Sequence, residues 1–273
     1  MIPAPFEYVR AGSVEEAVAA LTGDPEAKLL AGGHSLLPAM RLRLVRVSTL
    51  VDIGRLSDLS YVREDGDTIA IGALTRQHDL ANSEALQTAC PIVAYAASLI
   101  GDPAVRHVGT IGGSVAHGDP AGDLPAVLLA LDASFVITGP GGATRTVEAT
   151  SFFTGLLSTA LEPNELLTEI RVPKTSGGWS FLKFNRRAQD WALVGVSAVA
   201  SNGGVHVGLT NMGLTPLRAS GVEAAVADGA DPVAAAAHAD EGTAPGDDAF
   251  ASADYRRALS KVLVERALRE AMA

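Results

Sequence analysis

The chain has 273 residues, 48% of them hydrophobic and 19% charged, and a formal net charge of −10. That is ample apolar material for one or two packed cores and excludes a disordered chain; the acidic balance repels polyanions and excludes a nucleic-acid partner. Cys90 is the only cysteine, which excludes intrachain disulfides and any thiolate zinc site or iron–sulfur cluster held by this chain alone.

In chain order, Ser13-Val14-Glu15-Glu16 fits a capping box, with Ser13 as N-cap and Glu16 reaching back. Val14, Ala17, Val18 and Leu21 follow with helical spacing, and Thr22-Gly23-Asp24-Pro25 stops the helix. Lys28 to Ala31 reads as a short strand running into Gly32-Gly33, Pro38 to Leu44 as a helix, and Thr49 to Ile53 as a second strand. The basic stretch Arg41-Leu42-Arg43-Leu44-Val45-Arg46 alternates with apolar residues, the pattern of one polar face on a packed element. Asp65-Gly66-Asp67 joins the strands Tyr61–Glu64 and Thr68–Ile71 in a hairpin. A helix is expected from Ser83 to Ile100, broken or kinked at Pro91. Asp123 then caps a buried helix to Leu131, with Pro125 in its first turn. Phe135–Thr138 and Thr144–Val147 bracket Gly139-Pro140-Gly141-Gly142 as a second hairpin, and the strand Leu166–Val172 stops at Pro173.

Lys174-Thr175-Ser176-Gly177-Gly178 is the expected linker. Beyond it Trp179–Asn185, Val194–Ser201 and Val205–Met212 read as three strands, the last two joined by Asn202-Gly203-Gly204, and alanine-rich helices follow, the final one Asp254 to Ala271. An antiparallel sheet followed by helices points to a separate α+β unit. The richest apolar stretch, Ala126 to Leu131, is far short of the roughly 18 residues of a membrane span. Met1-Ile2-Pro3-Ala4-Pro5 carries neither the basic nor the apolar region of a secretory signal, so a cytoplasmic protein is expected. The six histidines form no His-x-x-x-His pair, and no metal site is expected.

The chemistry sits at the glycines. A Gly-Gly pair at a strand end permits positive φ and lets backbone N–H groups approach a ligand with no Cβ in the way; a helix start behind it favours a phosphate. Ala31-Gly32-Gly33-His34-Ser35 has that context, and Thr110-Ile111-Gly112-Gly113-Ser114 repeats it. In a chain with 28 glycines either pair alone is an ordinary turn. The matching grammar of two leaves both a pyrophosphate grip and a pair of plain turns open. Neither segment fits Gly-x-Gly-x-x-Gly, and no P-loop is present.

The segments around these loops resemble a known family. Ala31-Gly32-Gly33-His34-Ser35-Leu36-Leu37-Pro38-Ala39-Met40-Arg41-Leu42-Arg43 is similar to the first FAD loop of the medium subunit of molybdenum hydroxylases of the carbon monoxide dehydrogenase and xanthine dehydrogenase type. Gly109-Thr110-Ile111-Gly112-Gly113-Ser114-Val115-Ala116-His117-Gly118-Asp119-Pro120-Ala121-Gly122-Asp123-Leu124-Pro125 is similar to the second. Pro5-Phe6-Glu7-Tyr8, Val51-Asp52-Ile53, Ile71-Gly72-Ala73-Leu74-Thr75 and Phe181-Leu182-Lys183-Phe184 extend the resemblance over nearly the whole chain.

The resemblance implies an α+β fold: a two-part FAD-binding domain of the vanillyl-alcohol oxidase (PCMH) type over 1–175, with subdomains of about 1–55 and 56–175, then a small C-terminal domain over 176–273 with a three-stranded antiparallel sheet and helices. It implies that Ala31, Gly32, Gly33, His34, Ser35 and Leu36 hold the FAD pyrophosphate from one side, with Leu30 also among the cofactor-binding residues, and Thr110, Gly113 and Ser114 from the other. Asp123 would bond a hydroxyl of the adenosine ribose, Leu167 and Lys183 would lie near the flavin ring, and Ile100 beside the adenine. By their residue types alone, Asp123 could simply cap its helix and Lys183 could be solvated; Arg186-Arg187 and Asp190-Trp191 read equally as partner contacts or a solvated turn. The implied role is electron transfer without substrate chemistry: a large subunit carries the molybdenum cofactor, a small subunit carries two [2Fe–2S] clusters, and FAD passes electrons to a quinone, NAD or oxygen, in a dimer of heterotrimers. The rival readings are an FAD-free scaffold of such a complex and a self-contained FAD oxidase.

Overall fold

In the computed structural model residues 2–201 and 204–273 are described. The N-terminal unit runs β1 (Glu7–Arg10), α1 (Val14–Gly23), β2 (Lys28–Leu30), α2 (Leu36–Arg41), β3 (Thr49–Asp52). Its strands form a parallel sheet in the order β1-β3-β2, centred on fully buried Val51. Ser13 caps α1 as expected, its Oγ accepting from Glu16 N–H at 3.2 Å. Glu16 reaches back one residue further than expected, to Gly12 N–H at 2.7 Å.

The helix α2 starts earlier than the sequence pattern indicates, and it stops earlier because it closes on a Schellman turn. Arg43 takes a left-handed φ of 60°. Its N–H donates to Met40 O and that of Leu44 to Ala39 O, at 3.0 and 2.9 Å. The basic stretch is therefore not a face on a packed element. Leu42 and Leu44 are 61% and 76% exposed beside exposed arginines.

The middle of the chain continues with the hairpin β4 (Val62–Asp65) and β5 (Thr68–Gly72), then α3 (Gln77–Ala81), α4 (Glu84–Ala89) and α5 (Pro91–Ser98). Pro91 begins α5, so the expected helix is two helices meeting at Cys90. Next come α6 (Pro103–Arg106), α7 (Ile111–His117), α8 (Asp123–Ala130), β6 (Ser134–Thr138), β7 (Thr144–Glu148), α9 (Ala149–Phe152), the small hairpin β8 (Phe153–Gly155) and β9 (Ser158–Thr159), and β10 (Leu166–Pro173). The five-stranded antiparallel sheet β4-β5-β10-β6-β7 packs Ile71, Ile137 and Ile170 against α5, α7 and α8. Every residue of α8 is buried.

The segment 174–178 is a tight connector. Lys174 and Thr175 N–H groups donate to Asp67 O and Ala89 O at 2.9 and 2.8 Å, and a Cβ on Gly178 would lie 2.3 Å from Ala271 O. Beyond it β11 (Trp179–Phe184), β12 (Val194–Ser201), β13 (Gly204–Thr210) and β14 (Leu217–Arg218) form an antiparallel sheet. The expected three strands are thus joined by a fourth, two residues long and too short to leave a periodic signal. Asn202 and Gly203, expected to join the last two strands, lie outside the described residues. Helices α10 (Ser220–Ala227), α11 (Pro232–Ala236) and α12 (Ala253–Ala271) complete the chain. One side of this sheet packs on α12, while Phe181 and Val199 join the core beneath the five-stranded sheet.

Candidate cofactor cleft

Both glycine loops line one cleft of about 820 Å³, within the usual range of cofactor sites. Its walls come from all three larger sheets and the elements around them: the turn after β2, the start of α7, the α8 N-terminus, β10, and Lys183 on β11. The loops touch each other. A Cβ on Gly32 would stand 2.3 Å from Val108 O and 2.9 Å from Gly109 Cα, so only glycine permits this approach. Gly33 has φ +74°.

The two loops differ in what they leave free. In the first, none of the N–H groups from Ala31 to Leu36 donates to an acceptor among the described residues. Six consecutive open donors in a half-buried loop form an anion cradle. In the second, the donors are used: Ile111 N–H bonds Thr75 O, Gly112 N–H bonds Ala73 O, and Ser114 N–H bonds Thr110 O. Gly113 N–H bonds the Thr110 hydroxyl at 3.1 Å. That loop therefore presents side chains, above all the Ser114 hydroxyl, which accepts from Gln77 Nε2 at 3.1 Å.

Asp123 is not the cap of its helix. Gly122 occupies the N-cap and Asp123 the first turn, which frees the carboxylate to meet Lys183. Oδ2 accepts from Lys183 Nζ at 2.6 Å, with both side chains 6% exposed, and Lys183 Nζ also donates to Leu99 O at 3.1 Å. Burial pushes the Asp123 carboxyl above its usual range, against the pull of the Lys183 ammonium and its hydrogen bond. Oδ1 is buried without a partner among the described residues, and such an atom calls for a donor, from a ligand or from water.

Of the residues singled out from the sequence, Ala31, Gly32, Gly33, His34, Ser35, Leu36, Thr110, Gly113, Ser114, Asp123, Leu167 and Lys183 all line the cleft, as does Ile100. Leu30 does not; its side chain packs beside Met40 and Leu50. The Asp123–Lys183 contact sets these two side by side.

Two parts of the wall left no signal in the sequence. Gln77, buried in α3, holds Ser114 and keeps Oε1 unpartnered. The hairpin β8–β9 contributes Leu157 to Thr159. The loop 185–193 contributes Gln189, Asp190 and Trp191, so Asp190-Trp191, which read from sequence as partner contacts or a solvated turn, line the cleft. Among the described residues no cluster of potential metal ligands exists. Cys90 is buried, and burial raises its thiol pKa to about 12, so it offers no thiolate.

A cleft of this size with an open amide cradle and a buried carboxylate fits a phosphate-bearing cofactor, and the comparisons give its class. The family described as the FAD binding domain in molybdopterin dehydrogenase matches residues 4–175, and the CO dehydrogenase flavoprotein C-terminal domain matches residues 179–271. The chain belongs to this family, as an oxidoreductase subunit of the molybdenum hydroxylase type. It is 44% identical to the carbon monoxide dehydrogenase medium chain of Hydrogenophaga pseudoflava, over 100% of this chain and 99% of that one. The structure of that organism's carbon monoxide dehydrogenase superposes with a TM-score of 0.93 at 45% identity, covering 100% and 99% of the two chains. Quinoline 2-oxidoreductase from Pseudomonas putida 86 superposes at 0.91 with 29% identity, covering 99% and 98%. No helix among the described residues is long and apolar enough to cross a membrane.

Proposed function

We propose that the chain holds FAD in this cleft and passes electrons from the iron–sulfur clusters of a small partner subunit to an external acceptor, while a large molybdenum-bearing subunit carries out the substrate chemistry. The open amide cradle at Ala31–Leu36 carries this reading. It supplies N–H donors for a pyrophosphate, with the hydroxyls of Ser35 and Ser114 beside it. Asp123 accepts from a ligand hydroxyl through its free Oδ1, while Lys183 stays on Oδ2 and offsets part of the cost of burying the carboxyl. Leu166 and Leu167, at 3% and 4% exposure, give an apolar wall that excludes water. Gln77 fixes the Ser114 hydroxyl by donating to it. FAD, when bound, exchanges electrons with one-electron and two-electron partners; this chain orients it and sets its surroundings.

The domain limits 1–175 and 176–273, with subdomains near 1–55 and 56–175, belong to the same proposal, supported by the separate sheets and the connector at 174–178. So do a dimer of heterotrimers and a cytoplasmic location, supported by the family resemblance.

The test is a visible spectrum of the full chain purified with its partners. The flavin absorption bands are expected, and so is their bleaching when the substrate of the large subunit is added. A colourless complex that takes up no added FAD would leave the scaffold reading in its place. Oxidation of a small alcohol by this chain alone would replace it with a self-contained oxidase.

A further inference from the structure

The loop 185–193 between β11 and β12 presents Gln189, Asp190 and Trp191 to the cleft, and Trp191 is 60% exposed. Within the loop the tip is held lightly, by Asp190 N–H on Arg187 O at 3.0 Å and Asn185 Nδ2 on Asp190 O at 3.5 Å. Its base is gripped hard. Leu193 N–H donates to Phe184 O, and Asn211 Nδ2 donates to Ala192 O, each at 2.8 Å.

The next carbonyl, Leu193 O, accepts from Arg256 Nη1. Arg256 lies on α12, is 2% exposed, and has no acceptor for its Nε. An apolar residue would be the ordinary occupant of such a position, because burying a guanidinium costs heavily unless its bonds are needed. Its second amino group donates to Asp248 Oδ2 at 2.6 Å. Asp248 Oδ1 in turn accepts from Phe250 and Ala251 N–H at 2.8 and 2.9 Å. The Phe250 ring so placed carries the Arg186 guanidinium at 4.5 Å, a cation–π contact. Arg186 is in the loop, so the 248–251 turn braces the loop's near end and Arg256 its far end.

We infer that Arg256 is a positioning residue for the cofactor cleft: with Asp248 and Phe250 it fixes both ends of the loop that sets Trp191 against the cleft. The inference rests on the reading that the cleft takes FAD. The test uses the full chain produced with its partners, and measures FAD affinity, the visible circular dichroism of the bound flavin, and the melting temperature without FAD. Arg256→Met is expected to weaken FAD binding by about tenfold or more, since a charge-assisted bond is lost and a buried carbonyl is left unpaired, and to alter the flavin dichroism. Arg256→Lys, which keeps one donor, is expected to restore part of both. Asp248 is a half-exposed partner, so Asp248→Asn tests the brace without emptying the core; it should change the flavin dichroism at an unchanged melting temperature. Should Arg256→Met fail to fold, the other two variants decide. Wild-type affinity and dichroism in both would overturn the inference, as would a lowered melting temperature with unchanged dichroism. A wild-type chain that binds no FAD would sink the cofactor reading and this inference with it, an outcome distinct from FAD binding that the variants leave untouched.

Discussion

Asp123 shows how a residue's neighbours decide its work. As a helix-capping aspartate it would satisfy backbone donors and contribute about 1 kcal/mol. With Gly122 in the cap position, Oδ2 goes to Lys183 and Oδ1 is left without a partner among the described residues. Asp123→Asn keeps the shape but removes the charge. Bonds to a charged group are worth about 1.5–3 kcal/mol, so FAD affinity should fall roughly 10- to 100-fold, read by flavin fluorescence titration. An affinity equal to wild type would remove Asp123 from the site. Gly32 makes the complementary case, a residue whose value is an absence. Gly32→Ala drives a Cβ into Val108 O and Gly109 Cα, which are backbone and cannot rotate away. A loss of about 1–3 kcal/mol is expected from the forced separation of the two loops, visible in denaturant unfolding. Glycine demands of this kind are local and legible in sequence. The unpartnered Gln77 and the buried Arg256 are not, because each acquires meaning only from atoms brought to it by distant elements.

Among the elements, α8 is the bolt between the two halves of the molecule. Its first residue holds Lys183 on β11. Just past its end, Asp132 pairs with Arg218 on β14 and with His206 on β13, the latter at 3.0 Å. Midway, Gly208 of β13 lies against the helix backbone, where a Cβ would stand 2.2 Å from Ala126 O. Gly208→Ala should therefore shift the C-terminal sheet off α8, with a loss of about 1–3 kcal/mol and weaker FAD retention as Lys183 moves, measured by unfolding and by gel filtration of the yellow protein. The burial of α8 was readable from its apolar run, but its bolting role was not, since β14 is two residues long and its partner Arg218 has no periodic context. The early stop of α2 was hidden for a related reason: an arginine, not a glycine, takes the left-handed position.

The five-stranded sheet carries its own pH dependence. Burial opposes ionisation of Glu169 on β10, but hydrogen bonds from Tyr61 (2.5 Å) and Arg171 (2.6 Å), with the charges of Arg171 and Arg63, outweigh it and hold the carboxyl below its usual range. The same contact and burial push the Tyr61 hydroxyl up to about 12. A lowered folded pKa means stability that is fully present above the unfolded value of about 4.3 and is lost as pH falls through the folded one. Acid unfolding should therefore sharpen below that value, and Glu169→Gln should flatten this part of the curve, as followed by circular dichroism against pH. An acid limb of equal steepness in the variant would assign the loss to other carboxylates.

At the scale of the whole molecule, the cleft takes walls from each of the three larger sheets, so a ligand there ties them together. The resemblance of the glycine segments pointed to FAD, but nothing in the sequence showed that the first loop leaves its amides open while the second has spent them. That difference depends on acceptors at Ala73 and Thr75, folded against the second loop and absent from the first. A ligand that binds only the folded chain stabilises it by mass action, by about 2.7 kcal/mol at a hundredfold excess over Kd. For a chain of this size each kcal/mol raises Tm by roughly 2–4 °C. Saturating FAD should accordingly raise Tm by about 5–10 °C and do so for the N-terminal, middle and C-terminal sheets in one transition, as seen by calorimetry. Two transitions, of which FAD moves only one, would mean that the C-terminal sheet contributes no binding energy and that Lys183 serves Asp123 alone.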